Sequence, residues 1–406
     1  MKSLHKRKTD IRIGILICVF FILASINSFS LAEEEKQPDA KVQSDLIEEQ
    51  IRTGGIGSIE QALDKYADEE SKEFLEDYDP EEMIKDISEG KLDLNFKGIV
   101  NSCLRILFKE LYQNLSILIR MAVLIVICAL LKNLQATFLN DNVSEIAFYV
   151  CYIVIVSILL VSFSTAVKMS STIIDEMVGF MYATVPVLIT LLVSGGNITS
   201  GGIFQPIMIM VVEVSATIIK NVFIPLIFLS TMLTIVNNIS EKIQLTRLAG
   251  FIKQITSWAL GVVLTIFVAV VSLQGSLGAV IDGVTSKAAK FAISTFIPIV
   301  GKTLSDAADT VIGCTLLIKN AAGAAVMIGV LIICIVPLIK IISLVALYKA
   351  ASALLEPISE KRITTCINDV AGSMLHIFAV TAAVAFMFMI SVTALISAGN
   401  LSAMLR

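Results

Sequence analysis

The chain has 406 residues, of which 56% are hydrophobic and 16% charged, and its mean hydropathy is +0.85. An ordinary soluble domain carries about 25% charged residues, because polar side chains must cover its core, so this composition predicts a membrane protein. The net charge of −4 excludes a nucleic-acid-binding protein, which needs a dense basic surface, and the high hydrophobic content excludes a disordered chain.

Residues 1–32 predict a secretory signal peptide. A basic start precedes an apolar stretch, Ile13–Ile26, and Ser30 and Ala32 place small residues at the third and first positions before a cut at Glu33. The apolar stretch is shorter than the roughly 20 residues that cross a bilayer as a helix. An uncleaved signal anchor is the alternative, and both interpretations export the residues that follow.

Residues 33–97 predict an acidic extracytoplasmic segment. It carries 21 Asp and Glu against 8 Lys and Arg, a net charge of −13, and it has no Cys that could form a disulfide. A short helical pattern covers Ile59–Ala67. Asp79 and Pro80 are typical of a helix start, because Asp caps free N–H groups and Pro fits the first turn. A solvated spacer and a small docking domain both fit this composition.

An amphipathic helix lying at the membrane surface is predicted over residues 98–114, before the first span. Its apolar positions recur at helical spacing, and Arg105 and Lys109 lie elsewhere on the helix. The apolar face consists of Ile99, Cys103, Ile106, Leu107 and Leu111.

Residues 115–406 predict a multi-span membrane domain, so the fold class is an all-α polytopic transmembrane bundle of about eight spans. The loops at 237–256 and 348–370 are rich in Lys and Arg. With an exported N-terminus both loops lie in the cytoplasm, as the positive-inside rule requires, and the C-terminus lies outside. The apolar runs are 115–131, 146–167, 177–193, 203–219, 222–236, 257–273, 324–347 and 374–397.

The region 274–323 does not follow this simple pattern. It has moderate hydrophobicity and seven charged residues, and its two apolar pieces, 291–300 and 310–318, are each too short to cross a bilayer. Two half-helices or a re-entrant hairpin would fit, because interrupted segments are tolerated at membrane depth when protein or water surrounds them. An extracytoplasmic loop with one amphipathic helix is the alternative.

The chain lacks the motifs of common enzyme and metal sites. Its two His, His5 and His376, exclude a histidine-rich metal site, and no G-x-S-x-G nucleophile elbow is present. Residues 301–303 resemble the end of a phosphate-binding loop, but Phe296 stands where its first glycine would be. We therefore predict a protein that is not an enzyme and that binds no metal or cofactor.

Glu213 is the most informative charged residue. It lies deep in the run 203–219, where an acid is costly unless it is paired, protonated or hydrated. Lys220 lies two turns further on the same face, about 10 Å along the axis, so a direct pair would need water or a third group. A polar lining or ion relay is one interpretation, and a hydrogen bond between helices is the other.

Further candidates for a polar pathway lie in the region 274–323 and in the last span. Asp306 and Asp309 are one turn apart with Lys302 on the preceding turn, so they predict either a salt-bridged hairpin or a polar pathway. His376 fits a hydrogen-bonded bundle residue or a proton carrier. The remaining candidates are Asp282 and Lys319.

In the order of its short motifs the chain resembles the stage III sporulation protein AE family. The resemblance covers nearly all residues after the signal peptide and includes Asp79-Pro80-Glu81 of the acidic segment. The motifs, none of them diagnostic alone, are Val271–Gly275, Asp282–Val284, Phe296–Lys302, Ser305–Ala307, Lys319-Asn320, Pro337–Lys340 and Glu356–Ile358.

This resemblance implies a multi-pass protein in the mother-cell membrane that engulfs the forespore of an endospore former. It implies partners from the same sporulation operon, including a secretion-type ATPase and ring-forming proteins, in a channel that sustains forespore development. The family supplies no catalytic residues to carry over. From the composition we expect the protein to contact membrane lipid and to bind no nucleic acid.

Two functions remain open on the sequence. One is a non-enzymatic component of such a channel or secretion-like complex, and the other is a stand-alone ion-coupled transporter that uses Glu213 and the region 274–323. The exported acidic segment favours the complex, because a solitary transporter has little use for it. We expect deletion of residues 33–78 to abolish complex formation.

Overall fold

The computed structural model describes residues 55–68, 70–71, 83–85, 87, 96–138, 141–239, 245–296 and 301–404. All regular structure within these ranges is helical, which confirms the predicted all-α class. The signal peptide at 1–32 and the helix start at Asp79 lie outside the described residues.

The described part contains eight α-helices and one π-helical turn. A short helix from the acidic segment precedes seven longer ones, and the π-helical turn Ile219–Phe223 joins α4 to α5 without a break. The helices are α1 Gly57–Tyr66, α2 Phe96–Phe138, α3 Asp141–Ser194, α4 Ile198–Ile218, α5 Ile224–Ile239, α6 Thr246–Phe296, α7 Gly301–Leu355 and α8 Lys361–Met404.

Six segments within the described ranges are long and apolar enough to cross a membrane, against about eight predicted runs. The runs 146–167 and 177–193 are parts of α3, and the runs 203–219 and 222–236 are joined through the π-helical turn. The polar residues between the first pair include neither Gly nor Pro, so nothing in the backbone ends the helix there. The predicted break between these two runs therefore came only from the polar and charged residues at 168–176.

Two predicted short elements also belong to longer helices. Within the described residues, the region 274–323 consists of the end of α6, which continues to Phe296, and the first part of α7, which begins at Gly301. Its interior glycines, such as Gly275 and Gly278, lower helix propensity without ending the helix. The interfacial helix predicted at 98–114 is the first part of α2, and the residues of its predicted apolar face are half-buried.

Helices α7 and α8 form the centre of the bundle. In their most apolar windows 61% and 56% of residues are buried, against 17% for α2 and for α6 at the periphery. Helix α3 packs against both central helices, where the Tyr348 hydroxyl donates to Ser162 at 2.5 Å and Ser170 is hydrogen-bonded to Thr381. The long helices α3, α7 and α8 therefore supply most of the core.

The short helix α1 of the acidic segment, which we call the arm helix, packs on the flank of this bundle, against α3 and α7. Its buried positions follow the short helical pattern predicted from the sequence. The ring of Tyr66 lies where a side chain at position 179 would be, so α1 can approach α3 this closely only because Gly179 has no Cβ. The buried residues of α1 are Ile59, Ala62 and Leu63.

Candidate functional site

Glu213 and Lys220 lie on the surface where α3 meets α4, and they do not pair with each other. The Tyr182 hydroxyl donates to Glu213 Oε2 at 2.6 Å, and the Thr217 hydroxyl donates to Glu213 Oε1 at 3.5 Å. Lys220 instead forms an ion pair with Asp175 of α3, with Nζ 2.6 Å from Oδ2. The interpretation of Glu213 as part of a hydrogen bond between helices is thus supported by its direct contact with Tyr182. The Glu213–Tyr182 and Lys220–Asp175 contacts both remain exposed.

The sequence pattern missed Asp175 and Tyr182 as partners. The segment around Asp175 was interpreted as a break between two spans, so its side chains were not placed on a helix face. Continuing α3 through this segment puts Asp175 and Tyr182 seven residues apart on one face, opposite Lys220 and Glu213. The signal that could have revealed them is the absence of Gly and Pro from the break.

Asp282 ties α6 to the start of α4. Its two carboxylate oxygens accept from the backbone N–H groups of Thr199 and Ser200 at 2.9 and 2.8 Å, and the residue is only 3% exposed. Those N–H groups have no partner inside the helix, and the helix dipole favours a negative charge there. The geometry thus gives this carboxylate a complete structural role.

Lys319 is enclosed between α7 and α8. It is 1% exposed, and its Nζ donates to the backbone carbonyl of Ile396 at 2.8 Å. The ammonium group occupies the space that a Cβ at position 399 would fill, so Gly399 is required for this approach. A lysine buried this deeply depends on its hydrogen bonds, because desolvation of the ammonium is costly.

The remaining sequence candidates form local contacts. Asp309 pairs with Lys290 across the α6–α7 hairpin at 2.5 Å, which fits the salt-bridge interpretation. His376 is half-buried, and its Nδ1 lies 2.9 Å from the Gly372 carbonyl one turn earlier. The side chains of Lys302 and Asp306 lie outside the described residues.

The acidic segment makes an ion pair with the bundle that the sequence did not suggest. Lys340 of α7 lies 2.5 Å from Glu70 Oε2, just after α1. The hydrogen bond from Lys340 holds the pKa of Glu70 below its ordinary value of 4.5. The stabilisation by this carboxylate is therefore present above pH 4.5 and is lost as the pH falls through the lowered pKa. Its exposure limits it to less than about 1 kcal/mol.

The side chains described so far do not converge on a catalytic or metal constellation. Within the described ranges no group of three or more His, Cys, Asp or Glu is placed to hold a metal ion. A cavity of about 490 Å³ opens between α6, α7 and α8, and its lining is mostly apolar with Ser272, Ser276, Thr393 and Ser397 at its wall. The contacts between α3 and α4, in contrast, group polar side chains on an exposed helix surface.

Comparison with known proteins gives a match across the whole bundle. The model of a family described as Stage III sporulation protein AE matches residues 78–399, which include α2 to α7 and most of α8. Stage III sporulation protein AE of Bacillus subtilis (strain 168) is 39% identical over 303 residues, covering 74% of this chain and 75% of that protein. No solved structure matches the chain.

Proposed function

Because the chain belongs to the stage III sporulation protein AE family, we propose that it is a non-enzymatic membrane subunit of a channel or secretion-like complex between mother cell and forespore. In this role it is needed for forespore development and lies in the mother-cell membrane that engulfs the forespore. Its partners are other proteins of the same operon, including a secretion-type ATPase and ring-forming proteins.

The observation that supports a subunit role is the arm helix α1. One face of α1 is buried on α3 and α7, whereas Glu60 and Gln61 on its other face and Asp68 just after the helix are exposed to solvent. A charged helix packed on the flank of a membrane bundle is a suitable docking surface for a basic partner. The interpretation of residues 33–97 as a loose spacer does not account for this packing.

The orientation deduced from the sequence is compatible with six spans. Both merged pairs of runs lie before residue 237, so two crossings disappear together and the loops at 237–256 and 348–370 keep their cytoplasmic side. The turn at 194–197 follows only one merged pair. It therefore moves to the extracytoplasmic side.

Charge reversal at two exposed carboxylates, Glu60 on α1 and Asp68 just after it, tests the docking role. We expect Glu60→Lys combined with Asp68→Lys to abolish co-purification with the other operon proteins and to block formation of heat-resistant spores. The protein level should not change, because both side chains are exposed and neither contributes to the buried face. These substitutions are sharper than deletion of residues 33–78, which would also uncover the apolar surface beneath α1.

The matched control is Glu356→Lys, which reverses an exposed charge at the turn between α7 and α8. It should leave both co-purification and sporulation intact. Normal partner recovery and normal spore counts from the double variant at α1 would contradict the docking role.

A further inference from the structure

A line of exposed polar residues crosses the surface formed by α3 and α4, and we call it the polar stripe. On α3 its members are spaced four, three and seven residues apart, which places them on one helix face over about 21 Å. The stripe consists of Lys168, Thr172, Asp175 and Tyr182 on α3, Glu213 and Thr217 on α4, and Lys220 in the π-helical turn.

The stripe is exposed although five of its seven members hydrogen-bond to one another. The side chains of Asp175 and Lys220 are 57% and 35% exposed, and Tyr182 is 41% exposed. Glu213 is also exposed, and both of its hydrogen-bond donors, Tyr182 and Thr217, are neutral. Leaving such groups in contact with hydrocarbon is costly, so intramembrane charges generally face protein or water.

The apolar surface of α6 indicates that this level of the bundle lies at membrane depth. The Ser230 hydroxyl donates to the carbonyl of Ala249, and Asp282 caps the start of α4. The joined helices α4 and α5 therefore run antiparallel to α6, with Glu213 and Lys220 between these two ties. Along the same length α6 exposes large apolar side chains, which fit lipid: Phe251, Trp258, Ile266, Leu273 and Leu277.

The arm helix α1 borders the stripe and is itself incompatible with lipid. Its Tyr66 contacts Gly179, which lies between Asp175 and Tyr182 on α3. Glu60 and Asp68 of the arm remain exposed. A helix with exposed carboxylates needs water, so water reaches the level of the stripe on this side of the bundle.

We propose that the polar stripe lines a water-filled passage at membrane depth that admits small hydrophilic solutes, including ions. Lipid covers α6, and the passage lies on the α3–α4 side, bounded by whatever subunits surround that side in the assembly. The π-helical turn at Lys220 fits this role, because such turns frequently occur at functional sites. The proposal deepens the channel function and rests on it for the identity of the surrounding subunits.

Cysteine accessibility tests the passage in the full-length chain in sporulating cells. The six described native cysteines are free thiols, so their replacement removes no disulfide among them. Thr172→Cys and Thr217→Cys report on the stripe, and Ile266→Cys and Leu273→Cys are the matched controls on exposed apolar positions of α6. The probe is a membrane-impermeant, positively charged thiosulfonate reagent.

We expect the stripe cysteines to react about tenfold or more faster than the α6 controls, because a hydrated thiol ionises and its thiolate attacks the thiosulfonate, forming a mixed disulfide and releasing a sulfinate. Equally slow reaction at all four positions would overturn the passage, since the stripe would then be dry. Equally fast reaction would also overturn it, since α6 would then lie in water rather than lipid. Only variants that accumulate like the parent protein are compared.

Stripe labelling and α1-dependent co-purification, measured side by side, separate this proposal from the channel function. Loss of partner co-purification in the α1 charge-reversal variant, with rapid stripe labelling, would support both proposals. Slow stripe labelling with normal α1-dependent co-purification would overturn the passage and leave the subunit role in place.

Discussion

Lys319 shows how a single charge is accommodated inside this bundle. Its ammonium group reaches the carbonyl of Ile396 through a gap that exists because Gly399 has no side chain. Replacement of a buried charge by an apolar side chain of similar size is often neutral or stabilising, whereas a steric clash at the same place is not. The effects of substituting Lys319 and Gly399 on the free energy of unfolding should therefore not be additive.

We expect Gly399→Ala to lower the free energy of unfolding by about 1–3 kcal/mol, because the new methyl group collides with the Lys319 ammonium. Lys319→Met should be tolerated, and the double variant should recover most of the loss, since the flexible Met can move aside. Thermal unfolding in detergent micelles measures all three variants. Additive effects would show that the two residues are not coupled.

Gly372→Ala is the control on the same helix. A Cβ at this position meets no atom within 4 Å, so the added methyl group has room. This variant should unfold at or above the parent temperature, because Ala has a higher helix propensity than Gly.

At the scale of elements, the tie between α6 and α4 depends on one carboxylate. Asp282→Asn keeps the size of the side chain but removes the charge and turns one acceptor into a donor facing an N–H group. We expect this change to cost about 1–3 kcal/mol of stability, because a buried N–H loses its partner. The measurement is again thermal unfolding of the purified protein.

Asp309→Asn is the matched control, because it makes the same chemical change in an exposed ion pair with Lys290. It should cost less than about 1 kcal/mol, as exposed ion pairs usually contribute little. A loss of stability as large as that of Asp282→Asn would contradict the conclusion that the buried Asp282 contributes more to stability than the exposed Asp309.

The whole molecule raises the question of how often the chain crosses the membrane. Within the described residues, the six segments that could cross a membrane are 34 to 49 residues long, each longer than the roughly 20 residues a bilayer requires. The six-span and eight-span arrangements agree on both basic loops and disagree on the turn at 194–197. This turn therefore decides between them.

We expect a cysteine at the exposed Ser194 to react with an impermeant thiol reagent from the extracytoplasmic side, because six spans place this turn outside. Glu356→Cys, at the exposed turn between α7 and α8, should be protected in intact cells and react after permeabilisation. Protection of the Ser194→Cys protein in intact cells would favour the eight-span arrangement.

The sequence by itself determined the membrane class, the all-α fold, the short helix in the acidic segment and the family resemblance. These follow from hydrophobic content, helical periodicity and motif order, all of which are local along the chain. The predicted roles of the polar residues along a pathway stay predictions. Their positions in the chain alone did not reveal which of them make contact.

Only the tertiary structure decided which apolar runs are one helix and which charges meet. Lys220 pairs with Asp175 and Glu213 with Tyr182 because α3 continues through a polar segment and packs antiparallel to α4. Such contacts join residues 31 to 45 positions apart, and no periodicity along the chain reports them. The polar stripe is thus a property of packing, since its two halves are aligned only when α3 and α4 lie side by side.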